Sequence, residues 1–347
     1  MGIYFLTATI SYISMFFSRL VKTVNGRISI IFALLSFLAL SILSGLRFDV
    51  GTDFFSYYNY IDRISTVNIV NNEYGLWLLG LFIDSINAPN QLFIIVTSFL
   101  VVLLIFLPIK KESSYPEISI LLLFGLGFYF TSLNIVRQYL AIALIFYATI
   151  YYIKDRKKLF VLFVFIATLF HTTAVIAFSF LFLYKMRNSR LSSKLLILLG
   201  FILISFFYDK LLGVLLIGDY SEYAGTRFIN EGSSYVFFAL FFLITLLLLL
   251  FQKQIESVNV NNKFYILLSL VGVGLAFMGT KSLIIMRVAE YFTIFNIILL
   301  ADFLKSIKSS HLKVVAYIWL IFLSIIGVYL FLSQNLGGVV PYRIFIN

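Results

Sequence analysis

Arg137 opens an otherwise uncharged apolar segment, Asn134 to Tyr152, at the end away from Lys154, Lys157 and Lys158 that close it. An arginine at the non-cytoplasmic end of a membrane helix is a functional hypothesis by default, because a cation near hydrocarbon is costly without an anionic partner. Arg137 and Gln138 fall in the first turn of the segment, with Asn134 one turn ahead. A helix N-terminus offers free N–H groups and a positive dipole end, so these residues suit a diphosphate; the bland alternative is an arginine that snorkels to lipid headgroups. His171 lies in the middle of an ambiguous apolar stretch, 159–184, beside Thr172 and Thr173. Its imidazole has two readings: a hydrogen bond to a neighbouring helix, or a general base or substrate hydrogen-bonder in a water-filled cavity. In Met286-Arg287-Val288-Ala289-Glu290-Tyr291 the i, i+3 and i, i+4 spacings put Arg287, Glu290 and Tyr291 on one helix face. That face reads either as an internal ion pair or as a second anion-binding arginine braced by Glu290.

The segment Gly45 to Tyr60 brings together Arg47, Asp49, Asp53, Tyr57 and Tyr58. Carboxylates beside aromatic faces suit a sugar, whose hydroxyls need acceptors while its C–H face packs on rings. An interfacial aromatic belt with Asp53 as a helix cap is the plainer account. Gly218 to Glu231 has the composition of a saccharide-facing lid, Pro341-Tyr342-Arg343 is a weaker third candidate, and His311 reads as solvated surface.

The elements that position these groups must be membrane helices. The 347 residues are 62% hydrophobic and 12% charged, too little polar surface to cover a soluble globule. The apolar runs lack the dyad alternation of a barrel, so the fold expected is all-α: one polytopic integral domain, 1–347, of about 10–12 transmembrane or re-entrant helices, with extracytoplasmic loops at 46–74 and 218–235. Spans are expected near 3–18, 28–45, 90–108, 118–133, 134–152, 195–217, 236–251, 264–283, 285–304 and 314–333, with 74–88 interfacial or re-entrant. The first segment lacks a basic n-region and a cleavage site and reads as a retained span. With no cysteine and two histidines, thiolate sites and metal clusters are not expected.

Counting cations by loop places 18 of the 26 on one side, read as cytoplasmic. Those charges sit in short loops as topology signals, which argues against nucleic acid despite the net charge of +11. The other eight are Arg47, Arg63, Arg137, Lys210, Arg227, Lys281, Arg287 and Arg343. Six of these are arginine, and the planar five-donor fork suits bidentate binding of phosphate or carboxylate, where topology alone needs only charge. Both flanks of 159–184 are basic, which favours two half-helices meeting near His171 over one long helix. Half of that stretch rises about 20 Å, so His171 reaches outer arginines only if a cavity descends into the membrane.

Taken in order, these motifs resemble the EpsG family and the wider Wzy-type O-antigen and capsule polymerases. The carriers are Arg47 followed by Gly51, Asp53, Phe54 and Tyr57; Asn134, Arg137 and Gln138; Phe170, His171 and Ala174; Arg287, Glu290 and Tyr291; and Pro341-Tyr342. The resemblance runs from about residue 40 to the C-terminus. It implies a helical membrane fold resembling GT-C-type glycosyltransferases, without a cofactor, in the bacterial inner membrane with the site facing the periplasm. It also implies a polymerase that joins oligosaccharide repeat units carried on undecaprenyl diphosphate, with inversion, and a chain-length regulator as a possible partner. By the same resemblance Arg137 and Arg287 would hold the diphosphate in place of a metal, and Arg47, Asp53 and Tyr57 would orient sugars or acceptor. His171 or Asp53 would take the hydroxyl proton. A lipid-linked oligosaccharide flippase and an O-antigen ligase are the rivals; the one-sided clustering of polar residues disfavours the first, and the motif order the second.

Overall fold

The computed structural model describes residues 1–64, 73–208, 232 and 235–345. Apart from Gly232 and Tyr235, the expected outer loop 218–235 lies outside the described residues, as do Lys210 and part of the loop 46–74. In chain order the helices are α1 (Gly2–Val21), α2 (Gly26–Gly45), α3 (Phe54–Tyr58), α4 (Tyr74–Ser85), α5 (Asn90–Glu112), α6 (Pro116–Gly125), α7 (Phe128–Ser132), α8 (Val136–Tyr152) and α9 (Lys157–Phe170). They continue with α10 (Ser179–Met186), α11 (Leu191–Phe206), α12 (Tyr235–Leu250), α13 (Gln252–Val258), α14 (Asn262–Gly279), α15 (Leu283–Thr293), α16 (Asn296–Ser306) and α17 (Ser310–Ser333).

The chain is an all-α polytopic membrane protein. Among the described residues the one β feature is an isolated antiparallel bridge between Arg47 and Ile344. Among the described residues five helices, α1, α2, α5, α14 and α17, are long and apolar enough to cross a membrane, and the bent pairs α12–α13 (77°) and α15–α16 (42°) raise the number to as many as seven. Of the remaining expected spans, 195–217 lies outside the described residues beyond Tyr208, and the others are shorter or interrupted. The segment 118–133 breaks at Gly127, whose φ of +85° no helix can carry, and yields α6 and α7. The stretch 159–184 breaks at His171, where the backbone turns extended (φ −158°, ψ 123°) and a 3-10 run, Thr172–Phe178, precedes α10.

Two compact units result: 1–175 with 307–347, and 176–306. In the first, α1 and α2 form a helical hairpin. Asn25 caps α2 by accepting from the Arg27 and Ile28 N–H groups, and the two helices are tied by reciprocal serine bonds. Ser18 and Ser29 each donate to the other's carbonyl at 2.8 Å, and Ser36 donates to the Ser11 carbonyl at 2.9 Å. Small hydroxyl residues suit this interface, because lipid gives apolar helices little reason to associate and close approach plus hydrogen bonding must do so. Helix α5 packs between α2 and α8, and α9 returns along α8. At the lysine-bearing end of this unit Arg19 holds the fully buried Glu117 through Nε at 3.0 Å and Nη2 at 2.8 Å, and Lys154 approaches Glu112 at 3.9 Å. The second unit packs α11, α12 and α15 against α14. Its interior polar pairs are Thr245 with Ser269 at 2.7 Å and Asn262 donating to Asp302 at 2.8 Å.

Candidate functional site

The short connection between α8 and α9, in which Asp155 takes φ +60°, folds α9 back along α8. The first turn of α8 therefore lies at the same end as the last turn of α9, and Arg137 comes to His171 there. Glu73, at the head of α4, joins them. Its Oε2 accepts from Arg137 Nη1 at 2.5 Å, and its Oε1 meets His171 Nδ1 at 2.5 Å. Helix α4 lies close enough to do this because Gly75 passes against α9: a Cβ there would stand 3.0 Å from the Leu169 carbonyl oxygen. Glu73 is 4% exposed, His171 21% and Arg137 35%. The carboxylate is thus sealed underneath while the two basic groups remain reachable.

Tyr57 completes the cluster. Arg137 also donates to its phenol oxygen, and burial raises the Tyr57 phenol above its ordinary range although Arg137 pulls the other way. Tyr57 therefore keeps its hydroxyl hydrogen at neutral pH. Tyr60, stacked on Phe93 with centroids 5.5 Å apart, lies within electrostatic range of both Arg137 and Glu73, and burial raises its phenol as well. A guanidinium has five N–H donors, so contacts to Glu73 and Tyr57 leave Arg137 with donors for a ligand oxygen.

The loop beneath this cluster is fastened to the start of α8 and to the C-terminal tail. Asn134 Oδ1 accepts from the Thr52 backbone at 2.7 Å and from its hydroxyl at 3.0 Å. The Gly51 and Thr52 N–H groups donate to the carbonyls of Gly338 at 2.9 Å and Gly337 at 3.1 Å. Gly51 sits at φ +99°, and a Cβ there would come within 3.0 Å of Asn134 Oδ1 and 3.1 Å of the Leu133 carbonyl oxygen. Asp53 stands at the N-cap position of α3 without a capping hydrogen bond from its side chain, and receives the Thr52 hydroxyl at 3.2 Å. Its carboxylate is part-exposed beside Tyr57.

Arg47 occupies a different setting. It is 1% exposed and donates to the carbonyl of Ser44, to Ser98 Oγ at 2.8 Å and to the Leu133 carbonyl at 3.2 Å. Ser44 lies in the last turn of α2 and Leu133 caps α7, so the cation bridges two helix C-termini, whose dipoles are negative there. Burial pushes the Arg47 guanidinium down to about 10, against the pull of the surrounding tyrosine hydroxyls, and it remains charged at neutral pH. The structure makes it a clasp under the loop, with its donors directed at the protein.

Gln138, beside Arg137, is buried in α8. Arg287, Glu290 and Tyr291 lie on α15 in the second unit, the first two part-exposed and Tyr291 buried. The structure therefore brings together His171, Arg137 and Tyr57, with Asp53 alongside, and leaves the α15 group in the other unit. Arg343 pairs with Asp49 at the rim. The residue that sequence reasoning did not single out is Glu73. Nothing in its spacing signals that it meets both Arg137 and His171.

A Gly-x-Asp loop pinned to an Asn-x-x-Arg turn, facing a helix that ends in Phe-His, now forms one spatial unit. The family model described as the EpsG family matches residues 30–344, nearly the whole chain. The chain belongs to the EpsG family. That family consists of Wzy-like polysaccharide polymerases, which places the protein among membrane enzymes of polysaccharide assembly. No curated protein and no solved structure matches the chain. Among the EpsG motif positions, the first unit gathers those of the loop, the α8 start and the α9 end at a single cluster.

Proposed function

We propose that the protein lengthens a glycan by transferring a growing chain from undecaprenyl diphosphate to a hydroxyl of the next lipid-linked repeat unit, with inversion, at the outer face of a bacterial inner membrane. The observation that carries this reading is the meeting of Arg137 and His171 at one end of the first unit, opposite the lysine-bearing loops. In the reaction the acceptor oxygen attacks the anomeric carbon as its bond to the diphosphate oxygen breaks, and the electron pair leaves with the diphosphate. Arg137 meets the charge that grows on that leaving group, where a preorganised donor in a low-dielectric site is most effective. His171 accepts the hydroxyl proton. Asp53 and the Tyr57 hydroxyl orient sugar hydroxyls, and Arg47 acts through the loop it clasps. Arg287, braced by Glu290, is a second arginine for the diphosphate, carried on the other unit, and a chain-length regulator would act on the same growing glycan.

The test is the surface glycan of a deletion strain complemented with Arg137→Ala. Losing one preorganised donor to a developing anion costs about 10²–10³ in rate, so the ladder of long chains should collapse to a carrier bearing one repeat unit. Persistence of the ladder overturns the role of Arg137. Absence of even a single repeat unit on the carrier points to an export step and supports the flippase rival.

A further inference from the structure

We infer that Glu73 is a positioning residue for the transfer reaction, holding His171 as the Nδ1–H tautomer with Nε2 as the proton acceptor. The inference rests on the polymerase reading above and adds a residue to it. A carboxylate can only accept, so the 2.5 Å contact between Glu73 Oε1 and His171 Nδ1 requires the hydrogen on Nδ1. The second ring nitrogen, Nε2, lies on the opposite edge of the imidazole, away from Glu73, and carries the lone pair. As the acceptor hydroxyl gives its proton to Nε2, the ring becomes an imidazolium whose charge faces a buried carboxylate. A carboxylate that orients a catalytic histidine in this way stabilises the cation without taking the proton itself.

The same carboxylate also fixes the other participant. Glu73 Oε2 receives Arg137 Nη1 at 2.5 Å, so one side chain sets the separation between the group that takes the proton and the group that meets the leaving diphosphate. Its 4% exposure removes water as a competing partner for either contact. The backbone supports this arrangement. His171 stands where α9 has ended, its N–H still bonded to the Ala167 carbonyl at 3.0 Å, and Glu73 stands just before α4 begins. Both side chains thus leave element ends that pack against each other.

The experiment uses the full-length protein in proteoliposomes, with a synthetic polyprenyl-diphosphate repeat unit as probe, and Glu73→Gln and Glu73→Asp variants. With only His171 and His311 in the chain, ¹⁵N-histidine labelling in a His311→Asn background isolates the His171 ring nitrogens. The Nδ1–H form should dominate with Glu73. In Glu73→Gln, whose amide presents its NH₂ equally well, the tautomers should mix, with kcat down about 10²-fold and KM within about twofold. Glu73→Asp keeps the charge on a shorter stem and should recover about tenfold of that loss. An unchanged tautomer in Glu73→Gln, or a loss confined to KM, overturns the positioning role while leaving the polymerase reading intact. A protein that shows the Nδ1–H form yet makes no polymer from the lipid-linked probe overturns the polymerase reading, and with it any catalytic role for Glu73.

Discussion

Arg137 and Arg47 stand at the same end of one unit, and their surroundings give them different work. Arg137 is part-exposed, is balanced by one carboxylate and keeps donors for a ligand, whereas Arg47 is sealed among tyrosines with its guanidinium turned to two helix C-termini. A buried carbonyl that loses its donor costs about 1–3 kcal/mol, and Arg47→Met would take a charged donor from the Ser44 and Leu133 carbonyls and the Ser98 hydroxyl at once, leaving the Ser44 carbonyl the Ser98 hydroxyl at 3.2 Å. Arg47→Met should therefore lower the melting temperature in detergent and the yield of folded protein, with activity falling in step. A variant that melts like the wild type but has lost activity would return Arg47 to the substrate. The chemistry of both arginines is legible in the sequence, because arginine outnumbers lysine on the outer side. Their division of labour is not, since it depends on which chain segments close over each side chain. Glu73 was hidden for the same reason: its two partners are distant in sequence and lie on separate helices.

At the level of elements, the loop between α2 and α3 does its work through backbone. Gly51, at φ +99°, lets the Thr52 N–H reach Asn134 Oδ1 and sets Tyr57 beside Arg137, with Asp53 close to Tyr57. Gly51→Ala would combine a left-handed backbone with a Cβ pressed 3.0 Å from Asn134 Oδ1, a strain of about 1–3 kcal/mol. The expected outcome is a modest fall in melting temperature and a larger one in polymer formation, since the loop yields before the helices do; comparing the two readouts in one preparation checks it. Equal polymer formation at wild-type stability would show that the loop geometry is dispensable. Which elements could be foreseen follows from the same physics. Long apolar runs flanked by lysine or arginine mark α1, α2, α5, α14 and α17, and basic flanks on a stretch of awkward length mark the break at His171. The break at Gly127 left no comparable trace: one glycine within an unbroken apolar run does not say whether it is packed or takes positive φ.

At the scale of the whole molecule, the sorting of charge between the two ends of the first unit predicts which compartment the Arg137 cluster meets. In the first unit Arg19, Lys110, Lys154 and Lys313 lie at helix ends opposite to those bearing Arg47, Arg137 and His171. Lysine and arginine in short loops are retained in the cytoplasm, so the site should open to the other side. The chain has no cysteine, and single cysteines can therefore be read without background. Ser85 is exposed at the end of α4, in the connection whose Asn90 bonds Asp62 at 2.8 Å, and Ser310 is exposed at the start of α17 among lysines. Ser85→Cys should react with a membrane-impermeant maleimide on intact spheroplasts, and Ser310→Cys only after permeabilisation. The reverse pattern would turn the cluster toward the cytoplasm, where a donor carried to the outer leaflet could not reach it. Because both positions belong to the same unit, the outcome depends on the orientation of that unit alone and holds however the second unit is arranged.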